Sequence, residues 1–316
     1  MVPIVIMSKR LYVATIVILI LVLFNVVFIL NTANHDNGAS TLAENIKTLD
    51  TQAFIMPVSE ISYRPILDTN IHTPDINAKA AIVYDVNSSR YLYSKGIEEK
   101  LPVASLTKVL TAIITVEKLN FQDIVTIPKE AVRVDGERQD LYLGEQITIG
   151  DLLKMMLIKS SNDAAYALAF YGNTRGIDYI AEMNAKATNF GMDSSHFKDV
   201  AGLNDEAYSS AQDMVKLVKQ ALNYPILWTI MSQQTVDIKS VNGINHHVET
   251  TNQLFNQISG IVGGKTGFTD DAMGCMILVV EVPGENDMII SIVLGSNERF
   301  IDTKKLIDWT RQAYKW

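Results

Sequence analysis

Gly274-Cys-Met-Ile-Leu-Val-Val-Glu-Val-Pro-Gly-Glu-Asn-Asp-Met-Ile-Ile-Ser-Ile-Val-Leu294 is the stretch that decides the fold class. Two apolar runs rich in β-branched residues flank Pro283-Gly284-Glu285-Asn286, which reads as two strands joined by a turn. Some 190 residues upstream, Ala80-Ala-Ile-Val-Tyr-Asp and Arg90-Tyr-Leu-Tyr-Ser surround Asn87-Ser88-Ser89 and form a second expected hairpin. Between the two hairpins the apolar spacing changes to three and four, which predicts helices at about 105–119, 149–159, 162–171, 175–190 and 210–222. A last helix is expected at about 298–315. Strands at both ends with helices between them predict an α+β fold, an antiparallel sheet built from both chain ends and packed with a helical region.

The chain has 316 residues, 48% of them hydrophobic, and a formal charge of −8. That balance argues against nucleic acid or an anionic surface as the main partner. The single cysteine, Cys275, excludes an intramolecular disulfide and a Cys-rich zinc site. The five histidines include no His-Glu-x-x-His, so no metal or other cofactor is expected. Met155-Met156 and Cys275 read as core, and His246-His247 as loop or strand surface.

Apolar residues are concentrated in Leu11 to Leu30, which as a helix would reach roughly 30 Å, about one bilayer core. Lys9 and Arg10 precede it and the first charges beyond it are acidic, which places residues 1–10 in the cytoplasm and the rest outside the cell. A cleaved signal peptide and secretion are the rival reading. Against it, the apolar run exceeds the usual ~7–15 residues and no clean Ala-x-Ala site follows. Residues 31–77, polar and broken by Pro57, Pro65 and Pro74, read as a linker, and residues 78–316 as one compact domain. Without the two cations of the first segment, the exported part carries −10.

Three short motifs bear on chemistry, and each has a bland reading. Ser105-Leu106-Thr107-Lys108 opens an apolar-periodic helix, so the serine and lysine share a face near free backbone N–H groups. The same residues also suit a helix cap with an exposed lysine. A second Ser-x-x-Lys, Ser195 to Lys198, lies in a loop-like stretch without that geometry. Ser160-Ser161-Asn162 sits at a break between helices, where such residues cap routinely. Ser240-Val241-Asn242 matches the same pattern by accident. Lys265-Thr266-Gly267 precedes an extended segment, and Gly263, Gly264 and Gly267 suit either a simple turn or a sheet edge that receives a peptide.

In this order, separated by roughly 55 and then 105 residues, the motifs resemble serine penicillin-binding proteins and class A β-lactamases. The surrounding text is similar to low-molecular-mass D-alanyl-D-alanine carboxypeptidases, the S11 peptidases. It includes Pro102-Val-Ala-Ser-Leu-Thr-Lys, Leu152-Leu-Lys-Met-Met-Leu-Ile-Lys-Ser-Ser-Asn-Asp-Ala-Ala, Tyr208-Ser-Ser-Ala-Gln-Asp-Met, Thr251-Asn252 and Gly264-Lys-Thr-Gly-Phe-Thr. The resemblance covers about residues 78–316. It implies the transpeptidase-like fold and removal of the terminal D-alanine from peptidoglycan stem peptides through an acyl-enzyme, with β-lactams as covalent inhibitors. Acyl transfer needs a nucleophile and a base, and no histidine is placed to serve. Lys108, made neutral by burial and a second cation such as Lys265, is therefore expected to activate Ser105. Ser160 would relay a proton to the leaving amine and Asn162 would hold Lys108 and the acyl amide. Lys265 and Thr266 of the Lys265-Thr266-Gly267 motif would bind the carboxylate, and the backbone N–H groups of Ser105 and Phe268 would form the oxyanion hole, as the family pattern implies.

Some features depart from the family. No Glu-x-x-Leu-Asn follows Asn162 where class A β-lactamases keep a deacylating glutamate, and Glu182-Met183-Asn184 does not fit, so efficient β-lactam hydrolysis is not expected. Asp205-Glu206-Ala207 stands before Tyr208 where the family suggests a histidine. Neither the extra β-rich domain nor the C-terminal amphipathic anchor that many relatives carry is expected here, and the N-terminal span is expected to replace that anchor. Asp135-Gly136-Glu137-Arg138 could overhang the site. A DD-endopeptidase or β-lactamase of the same fold, or a non-catalytic wall-binding or β-lactam-sensing domain, stays open as an alternative.

Overall fold

The computed structural model describes residues 65–133 and 140–316. The span 11–30, the linker up to residue 64 and Asp135-Gly136-Glu137-Arg138 lie outside the described residues. The chain forms β1 (Ile66–Leu67), β2 (Ala80–Asp85) and β3 (Arg90–Lys95), then a 3-10 turn (Ala104–Thr107) that runs into α1 (Lys108–Lys118). β4 (Ile124–Thr126) and β5 (Gln146–Thr148) pair as a small hairpin. Next come α2 (Ile149–Lys154), a π-helical turn (Met155–Lys159), α3 (Asn162–Thr174), α4 (Tyr179–Asn189), α5 (Ala211–Ala221) and α6 (Pro225–Met231). The hairpin of β6 (Thr235–Lys239) and β7 (Asn245–Glu249) precedes β8 (Ile261–Thr269), β9 (Met273–Glu281), β10 (Met288–Ser296), α7 (Arg299–Ala313) and β11 (Tyr314–Lys315).

The two expected hairpins meet in one antiparallel sheet of order β3-β2-β10-β9-β8. Ile82 pairs with Ile292 and Ile292 with Ile277, so the chain ends join at the middle of the sheet. Side chains alternate across it. Ile82, Ile277 and Ile292 face the helical region with α1 and α3, whereas Val83, Leu278 and Val293 face Leu306, Ile307 and Trp309 of α7. Helices cover both faces, which is why β9 and β10 are apolar at almost every position. Residues 65–77 follow the same unit: β1 pairs with β11, and Ile76 is buried under α7.

Several elements differ from the sequence reading. The segment read as 149–159 splits into α2 and the π-helical turn, and the one read from 175 begins at Tyr179. Lys265-Thr266-Gly267 lies inside β8 rather than before a strand. His246 is not a surface residue; its ring is tucked against the buried Glu145, Nε2 to Oε1 2.5 Å. Among the described residues no helix is long and apolar enough to cross a membrane.

One buried polar knot ties α7 to the sheet. Asp302 is fully buried, its Oδ2 accepts from Ser296 Oγ at 2.6 Å, and its Oδ1 accepts from the Asn77 N–H at 3.2 Å. Asp302→Ala should lower unfolding stability by about 2–3 kcal/mol, because the buried Ser296 hydroxyl and the Asn77 N–H lose a charged acceptor. Urea denaturation checks this, and a change under about 0.5 kcal/mol, as at ordinary surface sites, would refute it.

Candidate active site

The turn at Ala104–Thr107 places the first group. Ala104 adopts φ 46°, a left-handed conformation that costs a non-glycine residue about 1–3 kcal/mol. The strain turns Ser105 toward β8, where Gly267 offers no side chain. A Cβ on Gly267 would stand 3.0 Å from the Ser105 nitrogen and 3.1 Å from the Val103 oxygen. Lys108 follows one helical step later and is completely buried. Its Nζ donates to Ser105 Oγ at 2.7 Å, Asn162 Oδ1 at 2.8 Å and the Ala201 carbonyl at 2.7 Å.

The π-helical turn places the second group. Its last residue is followed by Ser160 in a left-handed conformation, φ 69°. Ser161 then caps α3 by accepting the Ala164 N–H at 3.3 Å, which leaves the Ser160 hydroxyl free for another partner. That partner is Lys265, whose Nζ donates to Ser160 Oγ at 2.7 Å and to the Thr266 carbonyl at 2.8 Å. The register explains the placement: Lys265 pairs with Ile277, and directly paired residues share a face, here the one under the helical region. Thr266 Oγ1 lies 2.5 Å from Thr251 Oγ1, and Phe268 is exposed at the edge.

Ser105, Ser160, Asn162, Thr266, Gly267 and Phe268 line one groove of about 510 Å³, with Lys108 and Lys265 buried in its floor. Burial pushes Lys108 down to about 7, opposed by the negative charge of Asp199. The sequence reading also expected Lys265 to lower Lys108. Repulsion between like charges acts on both partners: burial holds Lys265 well below the usual lysine range, and the charges of Lys108 and Arg299 push it further down. With Lys108 neutral, two N–H bonds to Asn162 and Ala201 suffice to hold it, and its lone pair faces the Ser105 hydroxyl. The groove can therefore activate an alcohol and hold an anion beside it.

The rival motifs are engaged elsewhere. Ser195 Oγ donates to Asp213 Oδ2 at 2.8 Å, and Lys198 pairs with Glu206. Ser240 and Asn242 bond each other at the turn between β6 and β7. Glu182 pairs with Lys118 on the surface. Sequence reasoning missed Lys159, Leu203, Thr269, Asp270 and Arg299 on the groove wall, and the Ala201 carbonyl. Ala201 contributes only backbone and Arg299 opens a helix far from any motif, so neither left a local signal. Thr251 stood in the sequence only beside Asn252. Among the described residues no group of three or more His, Cys, Asp and Glu side chains could hold a metal ion.

Residues 68–298 match the family model for D-alanyl-D-alanine carboxypeptidase, peptidase S11. The chain is 29% identical over 247 residues to D-alanyl-D-alanine carboxypeptidase DacF of Bacillus subtilis, covering 75% of this chain and 63% of the relative's length. It is 28% identical to a D-alanyl-D-alanine endopeptidase of Pseudomonas aeruginosa, covering 74% of this chain and 77% of that one. The Streptomyces K15 DD-transpeptidase crystal structure superposes with a TM-score of 0.70 at 27% identity, covering 76% of this chain and 98% of that one. The architecture is thus the penicillin-binding protein α+β fold, with an antiparallel sheet and seven α-helices among the described residues.

Because only neutral Lys108 can accept a proton, acylation of Ser105 by an uncharged activated ester should rise with pH and reach half its plateau near 7. Stopped-flow rates across the range check this. In Lys108→Arg, whose guanidinium stays charged, the same rise should be absent.

Proposed function

The chain belongs to the D-alanyl-D-alanine carboxypeptidase family, and from that premise we propose that it removes the terminal D-alanine from peptidoglycan stem peptides. The observation that carries the reading is the buried Lys108 amine bonded to Ser105 at one side of a groove whose other side holds Lys265 and Ser160. Lys108 takes the Ser105 proton, and Ser105 Oγ attacks the carbonyl carbon between the last two D-alanines. The backbone N–H groups of Ser105 and Phe268 receive the developing oxyanion. As the C–N bond breaks, Ser160 relays the proton held on Lys108 to the departing amine, so that D-alanine leaves with Ser160 a hydroxyl and Lys108 neutral again. Water, deprotonated by Lys108, then cleaves the Ser105 ester and frees the shortened peptide. Asn162 steadies Lys108 and the acyl amide throughout.

The substrate carboxylate meets Lys265 and Thr266, with Arg299 on the groove wall as a further cation. An incoming carboxylate favours the charged form of Lys265, against the burial that disfavours it. β-Lactams present a strained amide with a carboxylate at similar spacing, and so acylate Ser105. A DD-endopeptidase reading is favoured by the Pseudomonas relative and would use the same groups. Residues 11–30 are proposed to anchor the protein, with the domain from about residue 78 outside the cell.

Purified protein given a D-Ala-D-Ala-terminated pentapeptide should release D-alanine, and a cross-linked dimer should be left intact. Lys108→Ala should lower turnover about 10²–10⁴-fold. Ser105→Ala should abolish both turnover and labelling by a fluorescent penicillin. Labelling without D-alanine release would sink the carboxypeptidase reading, and cleavage of the dimer would replace it with the endopeptidase one. Deleting residues 1–30 should move the protein from the membrane to the soluble fraction of cells.

A further inference from the structure

The base Lys108 takes its third bond from the Ala201 carbonyl, an atom on a loop between α4 and α5. That loop is organised by one side chain. Asp199 Oδ1 accepts the N–H groups of Ala201 at 2.7 Å, Gly202 at 2.6 Å and Leu203 at 3.2 Å, and Oδ2 accepts that of Asn204 at 2.8 Å. Four backbone donors on one buried carboxylate close residues 199–204 around it. With those N–H groups turned inward, the carbonyls face out: Ala201 to Lys108, and Val200 to Thr111 Oγ1 on α1 at 2.7 Å. The loop also lies directly on the nucleophile turn. Gly202 has φ +79°, and a Cβ there would stand 1.9 Å from the Ala104 oxygen.

We propose that Asp199 is a positioning residue for the reaction, one that holds the Ala201 carbonyl against Lys108 and so keeps that amine beside Ser105. The proposal rests on the reading of Lys108 as the base for Ser105. Tying the loop does not by itself require a charge, since a neutral hydroxyl or amide oxygen can accept N–H groups. The charge has a separate consequence. Burial alone weakens Lys108 as a base, and the Asp199 carboxylate opposes it. Around this pair stand Lys265 on β8, Arg299 at the start of α7, Tyr166 on α3, Asp205 further along the loop, and the exposed Asp178 and Lys198, which line one cavity with Asp199. Of these, Lys265 and Arg299 add positive charge, Tyr166 stays neutral because burial and Asp199 push it up to about 12, and Asp205 is exposed. Asp199 is therefore the anion that keeps the base matched to neutral pH.

The test measures acylation by a fluorescent penicillin from about pH 5 to 9 in wild type, Asp199→Asn and Asp199→Ser, together with melting temperature. Both variants lose the charge and keep one acceptor oxygen for the four N–H groups, so the loop is held less firmly. The plateau rate should fall about 10- to 100-fold, as expected when a catalytic group loses its seat. The midpoint of the rise should also move to lower pH, because removing an anion lowers the lysine further. A slower enzyme with an unmoved midpoint overturns the proposal, as do variants that no longer melt cooperatively, since either result makes Asp199 a structural tie only. Wild type that is never acylated defeats the underlying reading of Ser105 and Lys108 instead, so the two failures are distinguishable.

Discussion

A lysine amine taken wholly out of water is the constraint around which this molecule is arranged. Burying an ammonium ion costs several kcal/mol, and the cost falls if the group is neutral and each of its polar atoms is paired. Lys108 meets both conditions by collecting one near partner, the serine one turn back, and two from distant segments, Asn162 at the head of α3 and the Ala201 carbonyl. None of these can move without exposing or orphaning the amine. The same burial that makes the site costly therefore makes it stiff, and stiffness is what positioned catalysis needs.

The second lysine is governed by the sheet. Lys265 sits on an edge strand, and its register against β9 turns it toward the helices rather than toward solvent or α7. The small residues around it let β8 lie directly on the nucleophile turn. Strain appears at the two points where the helical region meets this edge, Ala104 and Ser160, both left-handed without being glycine. Ala104 opens the turn that carries Ser105 and Ser160 follows the π-helical turn, so backbone strain is present where pre-organisation is needed.

Much of the architecture was legible because it depends on period. The runs after Gly274 and Ala80 alternate or stay apolar over six residues or more, and the helices repeat at three and four, so their type and approximate ends follow from burial alone. The misses have physical causes. β4 and β5 are three residues each, too short to carry a pattern, and α6 spans seven residues from Pro225. β8 reads Gly-Gly-Lys-Thr-Gly at its centre, which has little alternation to see. The π-helical turn is invisible because one extra backbone unit per turn leaves the apolar run Met155 to Ile158 unchanged.

The sequence by itself determined the fold class and the three motifs, because these rest on residue type and short spacing, and through the family resemblance it offered Ser105, Lys108 and Lys265 as candidates. Only the tertiary structure decided what those residues touch. That Ser161 and not Ser160 caps α3, that burial governs the basicity of Lys108, and that Asp199 and a backbone carbonyl complete its surroundings are all consequences of long-range packing. Solvent exclusion and the direction of a carbonyl belong to no single stretch of chain. They arise where strands from both ends bring β8 against α1 and α3, and they are settled only when those surfaces close.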